Sequence, residues 1–206
     1  MIETQDELRA MFGKVHPLAQ MKSRPAFDQY SRKFISMSPF LVISTADAQG
    51  RADLSPRGDP PGFVHIIDDQ TMLIPDRPGN NRLDTMSNIM ANPNLACLFF
   101  IPGFEDTLRV NGRARLSNDE ALLAHCVVNA KKPPVGIIVT VEEVFLHCAK
   151  ALKRSKLWDD DYRRDRSSMP GIAQIILHQT SNSGVDEKLA AAAEQAVEQD
   201  YKAGLY

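Results

Sequence analysis

The chain has 206 residues, of which 43% are hydrophobic and 24% charged, and its formal net charge is −2. This composition can build a core without disulfide or metal staples, and it excludes a general attraction to nucleic acid or membranes, so any anion site must be local. The three cysteines are widely spaced and odd in number, which argues against a disulfide framework and favours a reducing cytoplasm.

Helices are predicted at both ends of the chain. The acidic N-terminus lacks the apolar stretch of a secretory signal, and no run is long enough to span a membrane. N-terminal helices are expected within about 1–36, the second starting near Pro25 with Tyr30 on its buried side. Two C-terminal helices are expected within about 170–203. Both are interpreted as additions to a single domain that covers 1–206.

The middle of the chain has the alternating pattern of antiparallel strands. Buried strands are predicted at 39–46 and 94–101, and the clearest alternation of polar and apolar residues lies at 107–116. Roughly six strands come in hairpins, with helices inserted between them, which favours an antiparallel barrel over a parallel sheet. The glycine motifs of Rossmann and P-loop nucleotide sites are absent from the sequence.

The loop PDRPGNNRLD (75–84), which leads from a strand into a helix, is the first candidate site. Arg77, Asn81 and Arg82 cluster before the helix, where free backbone N–H groups and the helix dipole favour an anion. Arginine adds a fork of donors that suits phosphate oxygens. The alternative is a purely structural loop whose Asn and Asp side chains cap the helix.

Two strand faces are further candidates. Ser55 and Arg57 share a face beside a Pro-Gly segment, where a flat ring could lie against the strand, although a simple hairpin end also explains the pattern. On the strand at 107–116, Thr107 and Arg109 share a polar face. Arginines paired on an exposed sheet surface are the alternative explanation there.

A basic segment at 150–158 contains no acidic residue and ends in the only tryptophan of the chain. Lys153, Arg154 and Trp158 would suit a planar anionic ligand, because cations and aromatic faces both attract such groups. A solvated basic helix with Trp158 as a packing anchor is the alternative. No metal-ligand spacing is found, and no catalytic acid or base is predicted.

Three segments in order, STADAQGRADLSPRGD, TMLIPDRPGNNRLDTMSNIMANPNLACLFF and TLRVNGRARL, resemble the pyridoxamine 5′-phosphate oxidase-related FMN-binding proteins. The resemblance covers roughly 25–160. It implies an α+β fold, namely a six-stranded antiparallel split β-barrel with peripheral helices. It also implies a homodimer with flavin mononucleotide (FMN) bound at the interface between the subunits.

The resemblance assigns FMN contacts to nine residues. Where the oxidase grips the phosphate with an Arg-Lys pair, this chain has Asn81-Arg82, and its ring-contacting strand corresponds to Ala52–Arg57. The predicted FMN-binding residues are Ser55, Arg57, Arg77, Asn81, Arg82, Thr107, Lys153, Arg154 and Trp158. The residues that bind substrate phosphate in the oxidase have no clear counterpart, which argues against oxidation of pyridoxamine phosphate.

These implications predict an FMN-dependent oxidoreductase that acts on a small molecule and takes electrons from a small donor. A cation such as Arg57 or Arg154 near the pyrimidine edge would stabilise the reduced, anionic ring. The alternative is a non-catalytic protein that binds or stores flavin, haem or a deazaflavin in the same barrel. Reduction of the bound flavin by a nicotinamide would favour the enzyme.

Overall fold

A computed structural model describes residues 1–181 and 184–206. The helices are α1 (Gln5–Met11), α2 (Pro17–Met21), α3 (Gln29–Met37), α4 (Asp84–Ala91), α5 (Glu120–Ala124), α6 (Lys150–Ser155), α7 (Ile172–Thr180) and α8 (Glu187–Ala203). The strands are β1 (Phe40–Ala46), β2 (Ala52–Gly58), β3 (His65–Ile66), β4 (Thr71–Pro75), β5 (Asn94–Phe100), β6 (Thr107–Ser117) and β7 (Gly136–His147). None of the described helices is long and apolar enough to cross a membrane.

The strands form one antiparallel sheet in the order β2-β1-β5-β6-β7-β4-β3. The predicted α+β class, an antiparallel split barrel with peripheral helices, is confirmed. The sheet has seven strands where roughly six were predicted, and its strand β3 is only two residues long. Hairpins join β1 to β2, β3 to β4 and β5 to β6, whereas β1 pairs with β5 and β4 with β7 across longer stretches of chain.

Ionic contacts join the two ends of this sheet. Arg57 on β2 lies 3.9 Å from Asp76, which follows β4. Asp59, just after β2, accepts a 2.6 Å hydrogen bond from Nε of Arg77, just after Asp76. Because β2 and β4 stand near opposite ends of the strand order, these contacts show that the sheet curls back on itself as a barrel does.

The core lies inside the curled sheet, under α3. Strands β1, β5 and β6 alternate buried and half-buried residues, so that every second side chain enters the core. Phe34 and Ile35 of α3 are buried, but Tyr30 is exposed, so its predicted burial is wrong. The reason is that the buried face of α3 is centred on Ser31, Phe34 and Ile35, and Tyr30 lies about a quarter of a turn away from that centre.

Strand β2 presents its two faces in an unusual way. Its polar residues, including Ser55 and Arg57, are half-buried and point inward, whereas the apolar residues of the other face are exposed. Leu54 is 68% exposed on this outer face. An edge strand with an apolar outer face is a surface that another protein element can cover.

Candidate functional site

A cleft of about 600 Å³ lies between β2 and the loop that joins β4 to α4. One wall is the segment 53–57 of β2, and the other is 76–86, which ends in the first turn of α4. Curling of the sheet brings these walls together, since they belong to strands at opposite ends of the strand order. Five of the nine predicted residues line this cleft: Ser55, Arg57, Arg77, Asn81 and Arg82.

The N-terminus of α4 opens into the cleft without a cap. Its N-cap residue, Leu83, has a left-handed backbone (φ 61°) and makes no side-chain cap hydrogen bond. Among the described residues, no acceptor bonds the backbone N–H groups of Asp84, Thr85 or Met86, all of which line the cleft. The capping alternative is therefore wrong, and the positive end of the helix dipole faces the cleft.

The loop before α4 is held in a strained shape. Asn81 and Leu83 both have positive φ values, of 57° and 61°. A left-handed backbone costs a bulky residue such as leucine about 1–3 kcal/mol, and such residues concentrate at functional sites. The side chain of Asn80 accepts a 3.1 Å hydrogen bond from the N–H of Arg82, which fixes the loop instead of capping the helix.

Arg82 stands at the mouth of the cleft. Its Nε donates a 2.7 Å hydrogen bond to a carboxylate oxygen of Asp84, and its side chain is 73% exposed. This hydrogen bond raises the pKa of Arg82 further above its ordinary value, and the charge of Asp53 acts in the same direction. Arg82 is thus a permanent cation that is free to turn toward a ligand in the cleft.

Arg57 is the inward-facing cation of the β2 wall. Its Nη1 donates to the hydroxyl oxygen of Ser55 at 2.5 Å and to the carbonyl oxygen of Pro56 at 2.9 Å. Its Nε is buried and, among the described residues, has no hydrogen-bond partner. Burial raises the pKa of the neighbouring Asp76, and the positive charge of Arg57 acts against that rise. A buried donor without an acceptor is costly, so this edge of Arg57 suits a ligand.

Arg77 serves a different purpose from Arg82. Its Nε donates to Asp59 and its Nη2 donates 2.8 Å to the carbonyl oxygen of Cys126. The side chain of Asp59 is 1% exposed, and it also accepts a 2.6 Å hydrogen bond from the Tyr206 hydroxyl. Two donor groups of Arg77 are already engaged, so its main effect on the cleft is to hold the two walls together.

The other four predicted residues lie around the loop before β6 and do not line the cleft, as far as the described residues show. Thr107 is buried at the start of β6, and Lys153 lies 3.1 Å from Glu105. The indole N–H of Trp158 donates a 2.7 Å hydrogen bond to the Phe104 carbonyl oxygen. Arg154 is exposed on the same short helix as Lys153. Trp158 lines a separate hollow of about 280 Å³.

The sequence reasoning missed the acidic half of the site. Each arginine of the cleft has a carboxylate partner: Arg57 with Asp76, Arg77 with Asp59 and Arg82 with Asp84. Of these three aspartates, only Asp84 could be placed near its arginine from the sequence, because it lies two residues after Arg82. The other two pairs join distant segments that come together only because the sheet curls. Within the described residues, no group of three His, Cys, Asp or Glu side chains could hold a metal ion.

The fold and the cleft together define an antiparallel split-barrel protein with an arginine-containing cleft at a helix N-terminus. The family model of pyridoxamine 5′-phosphate oxidase matches residues 27–148, more than half of the chain. The chain belongs to this family. No curated protein sequence matches it.

Solved structures with a similar fold share little sequence with this chain. HupZ of Group A Streptococcus is 19% identical, with a TM-score of 0.48, and the match covers 58% of this chain and 93% of that one. General Stress Protein 26 of Bacillus anthracis is 16% identical, with a TM-score of 0.43 and coverages of 57% and 94%. An FMN-binding protein of Syntrophomonas wolfei is 10% identical, with a TM-score of 0.44 and coverages of 57% and 81%. These likenesses are too distant to transfer a ligand or an activity.

Proposed function

We propose that the protein binds FMN, with the phosphate at the N-terminus of α4 and the flavin ring against β2. The observation that carries this proposal is the uncapped first turn of α4, whose free N–H groups and dipole face the same cleft as Arg82. A phosphate monoester carries nearly two negative charges at neutral pH, and helix N-termini with a nearby arginine suit such a group. The membership of the pyridoxamine 5′-phosphate oxidase family supports the same ligand.

The wall formed by β2 fits the other end of FMN. The buried Nε of Arg57 is a donor that still needs an acceptor, and a flavin ring offers acceptors along its pyrimidine edge. Ser55 and Asp76 hold this guanidinium in place from either side. When bound, flavin would supply the hydride or electron transfer, and Arg57 would stabilise negative charge at the ring.

A homodimer would complete the site. Thr107, Lys153, Arg154 and Trp158 gather around one loop, and three strand spacings, or about 14 Å along the sheet, separate β6 from β2. The exposed Leu54 lies on the outer face of β2, where a second subunit would bury it. We propose that this second group of residues reaches the FMN bound by the partner subunit, so that each cofactor lies between two chains.

The proposed activity is FMN-dependent oxidation or reduction of a small molecule, in the cytoplasm. Hydride transfer through a flavin needs no protein nucleophile, and the described lining of the cleft contains no His, Cys or Tyr. The same lining lacks the His or Cys that most often ligates haem iron, which favours flavin over haem among the alternatives. Anaerobic mixing of the FMN-loaded protein with NADH or NADPH separates an enzyme from a storage protein. Rapid bleaching of the flavin absorption supports the enzyme, whereas no reduction by either donor supports storage.

Titration with two flavins tests the proposed ligand. FMN and riboflavin differ only in the phosphate, so flavin fluorescence should report tighter binding of FMN to the protein stripped of ligand. Replacing Arg82 by alanine removes one charged hydrogen bond, worth about 1.5–3 kcal/mol, so the affinity for FMN should fall at least about 10-fold. Riboflavin binding should stay unchanged.

Arg51→Ala is the matched control for Arg82→Ala. Arg51 is also exposed and pairs with a nearby aspartate, Asp47, at 2.6 Å, but it does not line the described cleft. The control variant should bind FMN as the unchanged protein does. A protein that takes up neither flavin, or an Arg82→Ala variant with the original FMN affinity, would contradict the proposed phosphate site.

A further inference from the structure

We propose that Asp84 competes with the ligand phosphate for Arg82 and for the N-terminus of α4, and thereby sets the affinity of the cleft for phosphate-bearing ligands. The inference rests on the proposed function, because it concerns the same site. It adds a residue that weakens ligand binding, because the carboxylate of Asp84 occupies part of the site that the ligand anion would use.

Asp84 is placed where an anion would bind. It is the first residue of α4, beside the free N–H groups of Thr85 and Met86. Its carboxylate accepts the 2.7 Å hydrogen bond from Arg82. A negative charge in the first turn of a helix interacts favourably with the helix dipole. Without ligand, Asp84 therefore neutralises Arg82 and places a negative charge beside the free N–H groups that a phosphate would use.

The three arginine–aspartate pairs of the cleft differ in how easily a ligand can displace them. The Arg77–Asp59 pair is buried and the Arg57–Asp76 contact is largely shielded, and both tie the two ends of the sheet together. The pair of Arg82 and Asp84 is exposed and joins residues two positions apart. Exchange of Asp84 for a phosphate would therefore leave the barrel contacts intact.

The charge balance of the cleft gives this exchange its importance. The lining includes three arginines and three aspartates, so their formal charges cancel. A dianion enters more favourably if a carboxylate moves away from the arginine that it neutralises. Asp53 also acts on Arg82 at longer range, but only Asp84 accepts a hydrogen bond from it among the described residues. Asp84 is thus the carboxylate that the ligand phosphate must displace from Arg82.

Replacing Asp84 by asparagine tests the inference. The experiment compares the unchanged protein, Asp84→Asn and Asp84→Ser at pH 7.5, all stripped of ligand, by titration with FMN and with riboflavin followed by flavin fluorescence. Both variants should bind FMN at least about 3-fold more tightly, whereas riboflavin affinity should not change. Inorganic phosphate should also compete with FMN at a lower concentration in the variants.

A second readout separates competition from a general change in stability. Loss of the Asp84 charge should lower the melting temperature of the ligand-free protein, because a favourable interaction with the helix dipole is lost. Tighter FMN binding by a less stable protein cannot come from stabilisation of the fold. Asp69→Asn is the control, since Asp69 forms an exposed pair with Arg32 away from the described lining of the cleft, and it should leave FMN affinity unchanged.

Two results would overturn the inference, and they can be told apart. If the unchanged protein binds FMN and the Asp84 variants bind it equally or less tightly, Asp84 orients Arg82 for the phosphate or takes no part, and the inference alone fails. If neither the unchanged protein nor the variants bind FMN, the proposed function fails with it.

Discussion

Replacement of Arg77 by methionine should destabilise the folded protein, because Arg77 joins the two ends of the sheet beside the cleft. The change keeps most of the side-chain length but removes the guanidinium that bonds Asp59 at 2.6 Å and the carbonyl oxygen of Cys126 at 2.8 Å. Asp59 would then be a carboxylate with 1% exposure that has lost its cation. The Tyr206 hydroxyl would remain as one donor to it.

The expected loss follows from the burial of this pair. Removing one partner of a buried ion pair costs about 3–5 kcal/mol, and the remaining donor to Asp59 places the loss in the lower half, at about 3–4 kcal/mol. A chain of this size loses about 2–4 °C of melting temperature per kcal/mol, so the midpoint should fall by roughly 6–16 °C. Urea unfolding followed by circular dichroism measures the free energy directly.

Arg32→Met provides the comparison for an exposed pair. Arg32 bonds Asp69 at 2.5 Å, but the side chain of Asp69 is 84% exposed. Removing this pair should change the free energy of unfolding by no more than about 1 kcal/mol. If Arg77→Met also lost less than about 1 kcal/mol, the Arg77–Asp59 pair would not close the barrel, and the account of the cleft walls would be wrong.

Three further changes test separate parts of the account. Burial lowers the pKa of His65 in the folded protein, and the charge of His125, whose ring stacks on it at 4.6 Å, acts in the same direction. Because the unfolded chain then binds a proton at His65 more tightly than the folded protein does, the free energy of unfolding should fall as the pH drops below about 6.5. His65→Asn should reduce the difference in melting temperature between pH 7.5 and 5.5; an unchanged difference would count against this origin. Gly112→Ala would place a Cβ 2.1 Å from the Thr140 carbonyl oxygen at the β-bulge, so urea unfolding should show a loss of about 1–3 kcal/mol, and a neutral effect would refute the close packing. Leu54→Glu should convert the proposed dimer to a monomer in light scattering, and a dimer that survives would place the interface elsewhere.

The fold was largely predictable because its signals are local. Apolar runs identified β1 and β5, alternation of polar and apolar residues identified β6, and the hairpins indicated the antiparallel pairing of β1 with β2 and of β5 with β6. The start of α3 was misjudged because Pro25 and Asp28 are both good first-turn signals, and the sequence does not say which one the chain uses.

The candidate site was predictable only in part. The loop 75–84 and the strand 52–57 each have a local signature, and the structure places both on one cleft. The pairing of Arg77 with Asp59 and of Arg57 with Asp76 depends on how far the sheet curls, which no local pattern encodes. The left-handed backbone of Leu83 was also unpredictable, because leucine has no preference for that conformation.

The central claim is that the free N–H groups at the start of α4 receive the FMN phosphate, and their NMR signals test it most directly. Amide 1H–15N spectra should be recorded for the ligand-free protein with FMN and, separately, with riboflavin. FMN should move the amide protons of Thr85 and Met86 strongly downfield, as a charged hydrogen bond does, and riboflavin should leave them in place. If FMN binds and shifts other amides while these two stay unchanged, the phosphate lies elsewhere and the account is contradicted.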